Sequence, residues 1–239
     1  AVLGDLGVQA DCFAGHSFGE LMALHAAGAL SADQALQLAH ARGTAMRDAA
    51  AHPGAMSALA QPIERVRELL LAHPEVVIAN HNAPRQVVVS GPLAALDQFE
   101  RALASAQITF QRLPVASAFH SKVVASASQT FALALAQTGL SVTGLSDSKL
   151  PVYSNSSAAR YPGDPNAIRA QLAAQLAQPV RFVEMIEAMY DGGVRTFIEV
   201  GPGQVLSGLV AAILGQRQHS VIALDRKGKD GVESLLLGL

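Results

Sequence analysis

The residues best suited to chemistry lie at positions 15–20, in the stretch Gly-His-Ser-Phe-Gly-Glu. An apolar segment before it indicates the end of a buried strand, and residues 21–27 indicate a helix. A Gly-x-Ser-x-Gly between a strand and a helix is typical of a nucleophile elbow, which makes Ser17 the candidate nucleophile. The turn also places backbone N–H groups where a developing oxyanion could be received. We expect glycine at Gly15 and Gly19 because a side chain at either position would collide with neighbouring backbone. The same pentapeptide is compatible with a strand–helix turn that has no catalytic role.

A serine hydroxyl needs a base to become a nucleophile, and histidine is the usual base. Of the eight histidines, His120 stands at a predicted junction between a strand and a loop, where α/β active sites collect. We therefore take His120 as the candidate base. His16 is next to Ser17, but its side chain is expected to point the other way and to line the pocket.

Arg42 lies between Ala41 and Gly43 on a largely apolar predicted helix that runs from about Ala32 to about Ala51. A surface arginine is the simplest interpretation. If the guanidinium is buried, however, it needs an anionic partner. Together with Ser17, Arg42 suggests acyl transfer of a group that carries a carboxylate, held bidentately by the guanidinium.

Composition excludes several classes of function. Half of the 239 residues are apolar and 15% are charged, which is typical of a globular protein with a large core. The net charge of −2 predicts no basic face, so nucleic acid is not an expected partner. One cysteine excludes an intrachain disulfide and a multi-cysteine metal site. No segment is apolar enough to cross a membrane, and we expect a cytoplasmic protein without a permanently bound cofactor or metal.

The order of predicted elements indicates an α/β fold with two parts. Residues 1–53 and 117–239 alternate strands and helices, which predicts a parallel sheet covered on both faces, like the core of an α/β hydrolase. Residues 54–116 predict the order β-α-β-β-α-β, that of a small ferredoxin-like subdomain inserted in the core.

Several motifs together resemble one family, the malonyl-CoA:acyl carrier protein transacylases, which includes the acyltransferase domains of polyketide and polyunsaturated fatty acid synthases. They occur in the family's order along nearly the whole chain. The matching stretches are residues 15–20 (GHSFGE), 41–43 (ARG), 54–56 (GAM), 79–84 (ANHNAP), 86–91 (QVVVSG), 118–121 (AFHS), 152–155 (VYSN), 175–180 (QLAQPV) and 199–203 (EVGPG).

The resemblance implies a role for each candidate. Ser17 would take the acyl group from coenzyme A, with His120 as the base and Arg42 as the clamp on the free carboxylate of malonate. The position of Gln175 is similar to one whose backbone carbonyl orients the histidine. His16, Phe18, Asn82 and Phe119 would line the substrate site. The implied partners are malonyl-CoA, the phosphopantetheine thiol of an acyl carrier protein, and neighbouring synthase domains such as a ketosynthase.

Two details refine the resemblance. The Ala-Phe-His form around Phe119 is similar to malonyl-selective domains, since a bulky ring leaves little room for an α-methyl group. The family also has an N-terminal segment with a Gly-Gln-Gly motif whose backbone completes the oxyanion hole, and this sequence contains no such motif. We therefore expect the N-terminal part of the core to be missing, with the Phe18 N–H as the remaining oxyanion donor.

Two other functions stay open at this point. One is a serine thioesterase or esterase that uses water in place of a thiol, although no acid between Ser17 and His120 has the setting of a triad aspartate. The other is a catalytically incomplete docking domain of a larger synthase.

Overall fold

The computed structural model describes residues 2–49, 53–115, 117–137 and 150–238. The helices are α1 (Val2–Asp5), α2 (Gly19–Ala26), α3 (Ala32–Ala49), α4 (Ile63–Leu70), α5 (Leu93–Ser105), α6 (Ala125–Gln137), α7 (Pro165–Ala174), α8 (Phe182–Asp191), α9 (Val205–Leu214) and α10 (Gly231–Gly238), with short 3₁₀ turns at Lys122–Val124 and Gln175–Ala177. The strands are β1 (Phe13–Ala14), β2 (Gly54–Leu59), β3 (Val77–Ala83), β4 (Gln86–Pro92), β5 (Phe110–Arg112), β6 (Val152–Tyr153), β7 (Thr196–Glu199) and β8 (Ser220–Ala223).

Parallel pairing joins distant parts of the chain. β1 pairs with β6, with Phe13 opposite Val152, and β7 pairs with β8. The α/β class is thus observed, but the single parallel sheet expected from the sequence is present in the described residues as two separate two-stranded pairs. β1 and β6 are only two residues long because the elbow begins at Gly15 and a polar turn begins at Ser154.

A second sheet has the strand order β3-β4-β2-β5, and every neighbouring pair is antiparallel. With α4 and α5 it follows the predicted order β-α-β-β-α-β. Apolar residues of the two helices and of the sheet form its own core, including Val66, Leu96 and Phe99. The division into domains at 53/54 and 116/117 stays a prediction, and residue 116 lies outside the described residues.

The edge strand β3 connects this sheet to the segment before α8. The Val180 N–H donates to the Ala79 carbonyl at 2.8 Å, and the His81 N–H donates to the Val180 carbonyl at 2.9 Å. Because Gln175–Ala177 lies just upstream of Val180, the contact holds β3 beside the segment that also reaches His120. It thereby positions Asn82 at the candidate site.

Four helices of the larger part share one apolar core. Fully buried leucines of α2 and α3 meet α6 and α7 there, and the set includes Leu24, Leu38, Phe131 and Leu172. This packing fixes α2, and with it the turn that α2 begins.

The helices α3 and α10 compare differently with the sequence prediction. α3 is described up to Ala49, and its predicted end at about Ala51 lies outside the described residues, so that end stays a prediction. The sequence analysis missed α10, whose signal is Asp230: its carboxylate accepts hydrogen bonds from the N–H groups of Val232 and Glu233 at the start of the helix.

The two elbow glycines have different roles. A Cβ at Gly15 would overlap the carbonyl carbon and oxygen of Gly19, so the chain passes itself at a distance that only glycine permits. A Cβ at Gly19 would meet nothing within 4 Å. The expectation that both positions require glycine is therefore correct for Gly15 and wrong for Gly19, which begins α2 with room for a side chain.

This difference supplies a matched pair of variants. We expect Gly15→Ala to lower the free energy of unfolding by about 1–3 kcal/mol or more, because backbone must move to admit the methyl group. Gly19→Ala should cost nothing, since alanine is the better helix former by about 1 kcal/mol. Urea denaturation measures both values. Equal destabilisation by the two substitutions would contradict the close approach at Gly15.

Candidate active site

The Ser17 hydroxyl is the point at which three distant segments meet. Its Oγ lies 2.9 Å from Nε2 of His120 and 3.1 Å from Nη2 of Arg42. Ser17 has φ 51°, a left-handed conformation that is uncommon for serine and typical of an elbow. The structure thus brings together the candidate nucleophile, the candidate base and the candidate clamp.

His120 is held by backbone carbonyls. Its Nδ1 lies 2.9 Å from the Gln178 carbonyl and 3.2 Å from the Gln175 carbonyl, which assigns the proton to Nδ1. Nε2 is then free to accept the Ser17 proton. His120 lies in the turn before the 3₁₀ helix Lys122–Val124 and not at a strand end as expected, because β5 already ends at Arg112.

The surroundings of His120 favour its neutral form. Burial is the largest cause that lowers the pKa of His120 to about 4, and the positive charge of Arg42 lowers it further. The two carbonyl acceptors act in the opposite direction but do not overcome burial. Near neutral pH the imidazole is therefore ready to accept a proton.

Arg42 projects from α3 and is only 6% exposed. Burial lowers the pKa of Arg42 to about 10, against the attraction of Glu20, so the guanidinium stays charged at neutral pH. It lies 5.6 Å from the centre of the Phe18 ring. Within the described part of the chain no ion pair joins Arg42 to a carboxylate.

His16 and Asn82 form one wall of the site. His16 Nε2 lies 2.8 Å from the Asn82 side-chain oxygen, and the His16 ring packs against Phe182 at 5.3 Å between centres. Burial lowers the pKa of His16, so its ring is neutral and acts as a hydrogen-bond donor to Asn82. Phe119 packs between the core of the larger part and the face of the antiparallel sheet.

The two N–H groups at the elbow are not equivalent. The Ser17 N–H donates to the Asn155 side-chain oxygen at 2.6 Å and is therefore occupied. The Phe18 N–H donates to no acceptor among the described residues. This supports Phe18 as an oxyanion donor through its backbone, while its side chain is 41% exposed at the surface.

Gln175, predicted among the substrate-binding residues and also as the source of a carbonyl that orients the histidine, contacts both Ser17 and His120. Its backbone carbonyl faces His120, and its side-chain Nε2 donates to the Ser17 carbonyl at 2.8 Å. Gln175 is 1% exposed. It therefore positions both members of the Ser17–His120 pair.

Sequence reasoning assigned no role to three residues that the structure places in the site: Asn155, Glu20 and the Gln178 carbonyl. Asn155 follows β6, the parallel neighbour of β1, and carboxyl ends of adjacent parallel strands meet at one edge of a sheet. That rule is the signal that could have found it. Glu20 is an acidic residue in an otherwise apolar helix start, and it is fully buried. Gln178 contributes its backbone carbonyl, which every residue type has, so no sequence pattern could have identified it.

The described residues contain neither a metal-binding cluster nor a helix that could span a membrane. No group of three or more His, Cys, Asp or Glu side chains there is arranged to hold a metal ion. Among the helices in the described ranges, none combines the length and the apolar character that spanning a membrane would need.

Comparison with known proteins places this geometry in context. The profile described as "acyl transferase domain" matches residues 1–235. The chain is 38% identical over 211 residues to "Polyketide biosynthesis protein ThaF" of Burkholderia thailandensis, covering 85% of this chain and 17% of that protein. It is 36% identical over 215 residues to "Malonyl CoA-acyl carrier protein transacylase" of Bacillus subtilis, covering 87% of this chain and 66% of that protein. The chain thus spans less than two thirds of the length of either relative.

A solved structure shares the fold along the whole chain. It is a type II polyketide synthase acyl carrier protein in complex with its malonyl-transacylase, with a TM-score of 0.87 and 29% identity. The match covers 100% of this chain and 75% of that one.

The neutral state of His120 leads to a pH prediction. Since the pKa of His120 is lowered to about 4, labelling of Ser17 by a fluorophosphonate probe should keep its rate from neutral pH down to about pH 5. The rate should fall only as pH approaches about 4, where His120 binds a proton. A rate that halves near the ordinary histidine pKa of 6.5 would contradict the buried base. Ser17→Ala, which should not be labelled at any pH, is the control.

Proposed function

This chain belongs to the acyl transferase domain family, and on that premise we propose that it moves a malonyl group from malonyl-CoA, through an ester on Ser17, to the phosphopantetheine thiol of an acyl carrier protein. The observation that carries the proposal is the double contact of Ser17 Oγ with a neutral imidazole and with a buried cation. The name of the Bacillus subtilis relative supports the substrate, and the carrier-protein complex of the solved neighbour supports the partner.

The first half-reaction forms the ester. As Ser17 Oγ attacks the thioester carbon, its proton passes to Nε2 of His120. The carbonyl oxygen becomes an oxyanion that accepts a hydrogen bond from the Phe18 N–H. When the tetrahedral intermediate collapses, the carbon–sulfur bond breaks, and coenzyme A leaves with the proton from His120.

The second half-reaction reverses these roles. The carrier thiol gives its proton to His120 and attacks the ester carbon, and the departing Ser17 oxygen takes that proton back. Backbone carbonyls orient His120, and they add no full negative charge that would stabilise its protonated form. The proton is therefore returned readily in each direction.

The remaining candidates have roles in binding. Arg42 would pair with the free carboxylate of the malonyl group, since its charge is buried and its position is next to the acylated oxygen. His16, Asn82 and Phe119 would line the acyl pocket, and the size of Phe119 would disfavour an α-methyl group. Gln175 would keep Ser17 and His120 within hydrogen-bond distance of each other, because it contacts both.

The proposal extends to the architecture, the location and the neighbours of the chain. The core of residues 1–53 and 117–239 is of the α/β-hydrolase type, as supported by the parallel β1–β6 pair that leads into the elbow. Residues 54–116 form a ferredoxin-like subdomain, as supported by the strand order of the antiparallel sheet. The protein works in the cytoplasm, and a ketosynthase is a neighbouring domain or partner.

No observation favours hydrolysis, because the partners of His120 Nδ1 in the described chain are carbonyls and not a carboxylate.

The proposal is tested by mass spectrometry of the intact full-length protein mixed with malonyl-CoA. We expect one malonyl adduct on Ser17 that disappears when an acyl carrier protein with its phosphopantetheine arm is added and reappears on that protein. Ser17→Ala should form no adduct. Release of free malonate at the rate of adduct loss would identify a thioesterase, and absence of any adduct would identify a docking domain.

The clamp is tested by comparing two arginines of α3. We expect Arg42→Ala to lower the rate of malonyl transfer by about 10- to 100-fold, the factor for one lost hydrogen bond to a charged group, while acetyl transfer is not lowered. Arg47→Ala is the matched control, because Arg47 is exposed and pairs with Asp48 on the surface. Parallel loss of malonyl and acetyl transfer in Arg42→Ala would contradict the clamp.

A further inference from the structure

Glu20 is a buried carboxyl group that the proposed mechanism does not use. It lies in the first turn of α2, three residues after Ser17, and has no exposed surface. One of its oxygens accepts a hydrogen bond from the Asn155 N–H, and the other accepts one from the Tyr161 hydroxyl at 2.6 Å. Burying a carboxyl group costs free energy, and the cost is met only where several donors surround it. Such a group indicates a specific task.

Asn155 connects Glu20 to the nucleophile. Its side-chain oxygen accepts the Ser17 N–H at 2.6 Å, and its side-chain nitrogen donates to the Gly15 carbonyl at 2.6 Å. The asparagine therefore bridges both sides of the turn. Its own backbone N–H is held by Glu20, and its carbonyl accepts the Arg181 N–H at 3.0 Å.

We propose that Glu20 is a positioning residue that acts through Asn155 to hold the Ser17 backbone in its left-handed conformation. With Asn155 fixed, Ser17 Oγ stays 2.9 Å from His120 and the Phe18 N–H stays free for the oxyanion. A non-glycine residue keeps such a conformation only where its surroundings over-determine it. The inference rests on the proposed function in one respect, that Ser17 is the nucleophile.

The position of Glu20 also allows a purely electrostatic role, which the contacts do not favour. The carboxyl group faces Arg42 of α3 and Tyr161 and Ser154 of the segment after β6. The Asn155 N–H and the Tyr161 hydroxyl donate hydrogen bonds to Glu20, whereas Arg42 donates its hydrogen bond to Ser17. Burial raises the pKa of Glu20 to about 7, so its charge is incomplete at neutral pH, whereas its carbonyl oxygen can accept the Asn155 N–H in either protonation state.

Two variants of equal length separate the roles. Glu20→Gln keeps an oxygen for the Asn155 N–H but has no charge, and Glu20→Met has neither. We expect fluorophosphonate labelling of Ser17 in the full-length protein to slow by about 10- to 100-fold in Glu20→Met and by less than about 3-fold in Glu20→Gln. The same order should appear in kcat of malonyl transfer, with KM for malonyl-CoA unchanged, because Arg42 keeps its hydrogen bond to Ser17 and its positive charge in both variants.

Glu199→Gln is the control for a structural effect. The Glu199 carboxylate accepts the N–H groups of Leu206 and Ser207 at the start of α9, outside the Ser17 network. Its substitution should lower the thermal midpoint without changing the labelling rate of folded protein. If Glu20→Met does not fold, Tyr161→Phe replaces it, with an expected slowing of about 2- to 10-fold that vanishes in an Asn155→Ala background.

Three results would overturn the inference: equal slowing in Glu20→Gln and Glu20→Met, which would assign the effect to charge; no slowing in Glu20→Met; and no slowing in Tyr161→Phe where that variant is used. The probe needs neither malonyl-CoA nor a carrier protein. Normal labelling of the unsubstituted protein without malonyl transfer would therefore refute the proposed function and leave the role of Glu20 measurable.

Discussion

The left-handed backbone of Ser17 is the constraint on which the rest of the site depends. A non-glycine residue in this region costs on the order of 1–3 kcal/mol. Contacts from two other segments hold it, since Asn155 accepts its N–H and Gln175 donates to its carbonyl, and within the turn Gly15 allows the chain to pass Gly19. Asn155 and Gln175 are each more than a hundred positions from Ser17 along the sequence. The elbow can therefore keep its conformation only when the core around it is folded.

Burial decides the charge states in the site. His120 and Arg42 both lose water, but the effect differs because an arginine begins with a much higher pKa. The imidazole is left neutral and the guanidinium is left charged. Among the described residues, the Ser17 hydroxyl therefore has a proton acceptor and a positive charge without an ion-pair partner within hydrogen-bond distance.

Sequence reasoning selected three side chains that the structure brings together, and it missed the residues that hold them in place. Ser17, Arg42 and His120 stand out because their residue types are unusual in their local setting, and periodicity predicts the order β-α-β-β-α-β. The bond between Ser17 and Asn155 joins residues 138 positions apart, so no local pattern reveals it. The error at Gly19 has a related cause. Whether Gly15 or Gly19 lies against neighbouring backbone depends on how the turn closes in three dimensions. The pentapeptide sequence does not contain that information.

The use of the Gln175 and Gln178 carbonyls to orient His120 has a consequence for how the site can evolve. A carboxylate that orients a histidine is lost by a single codon change, but a peptide oxygen is present whatever amino acid the codon specifies. Genetic drift at position 178 can therefore alter the surface of the protein without deleting the acceptor. Insertions and deletions in this segment are the mutations that would harm the site, because they would move both carbonyl oxygens away from His120.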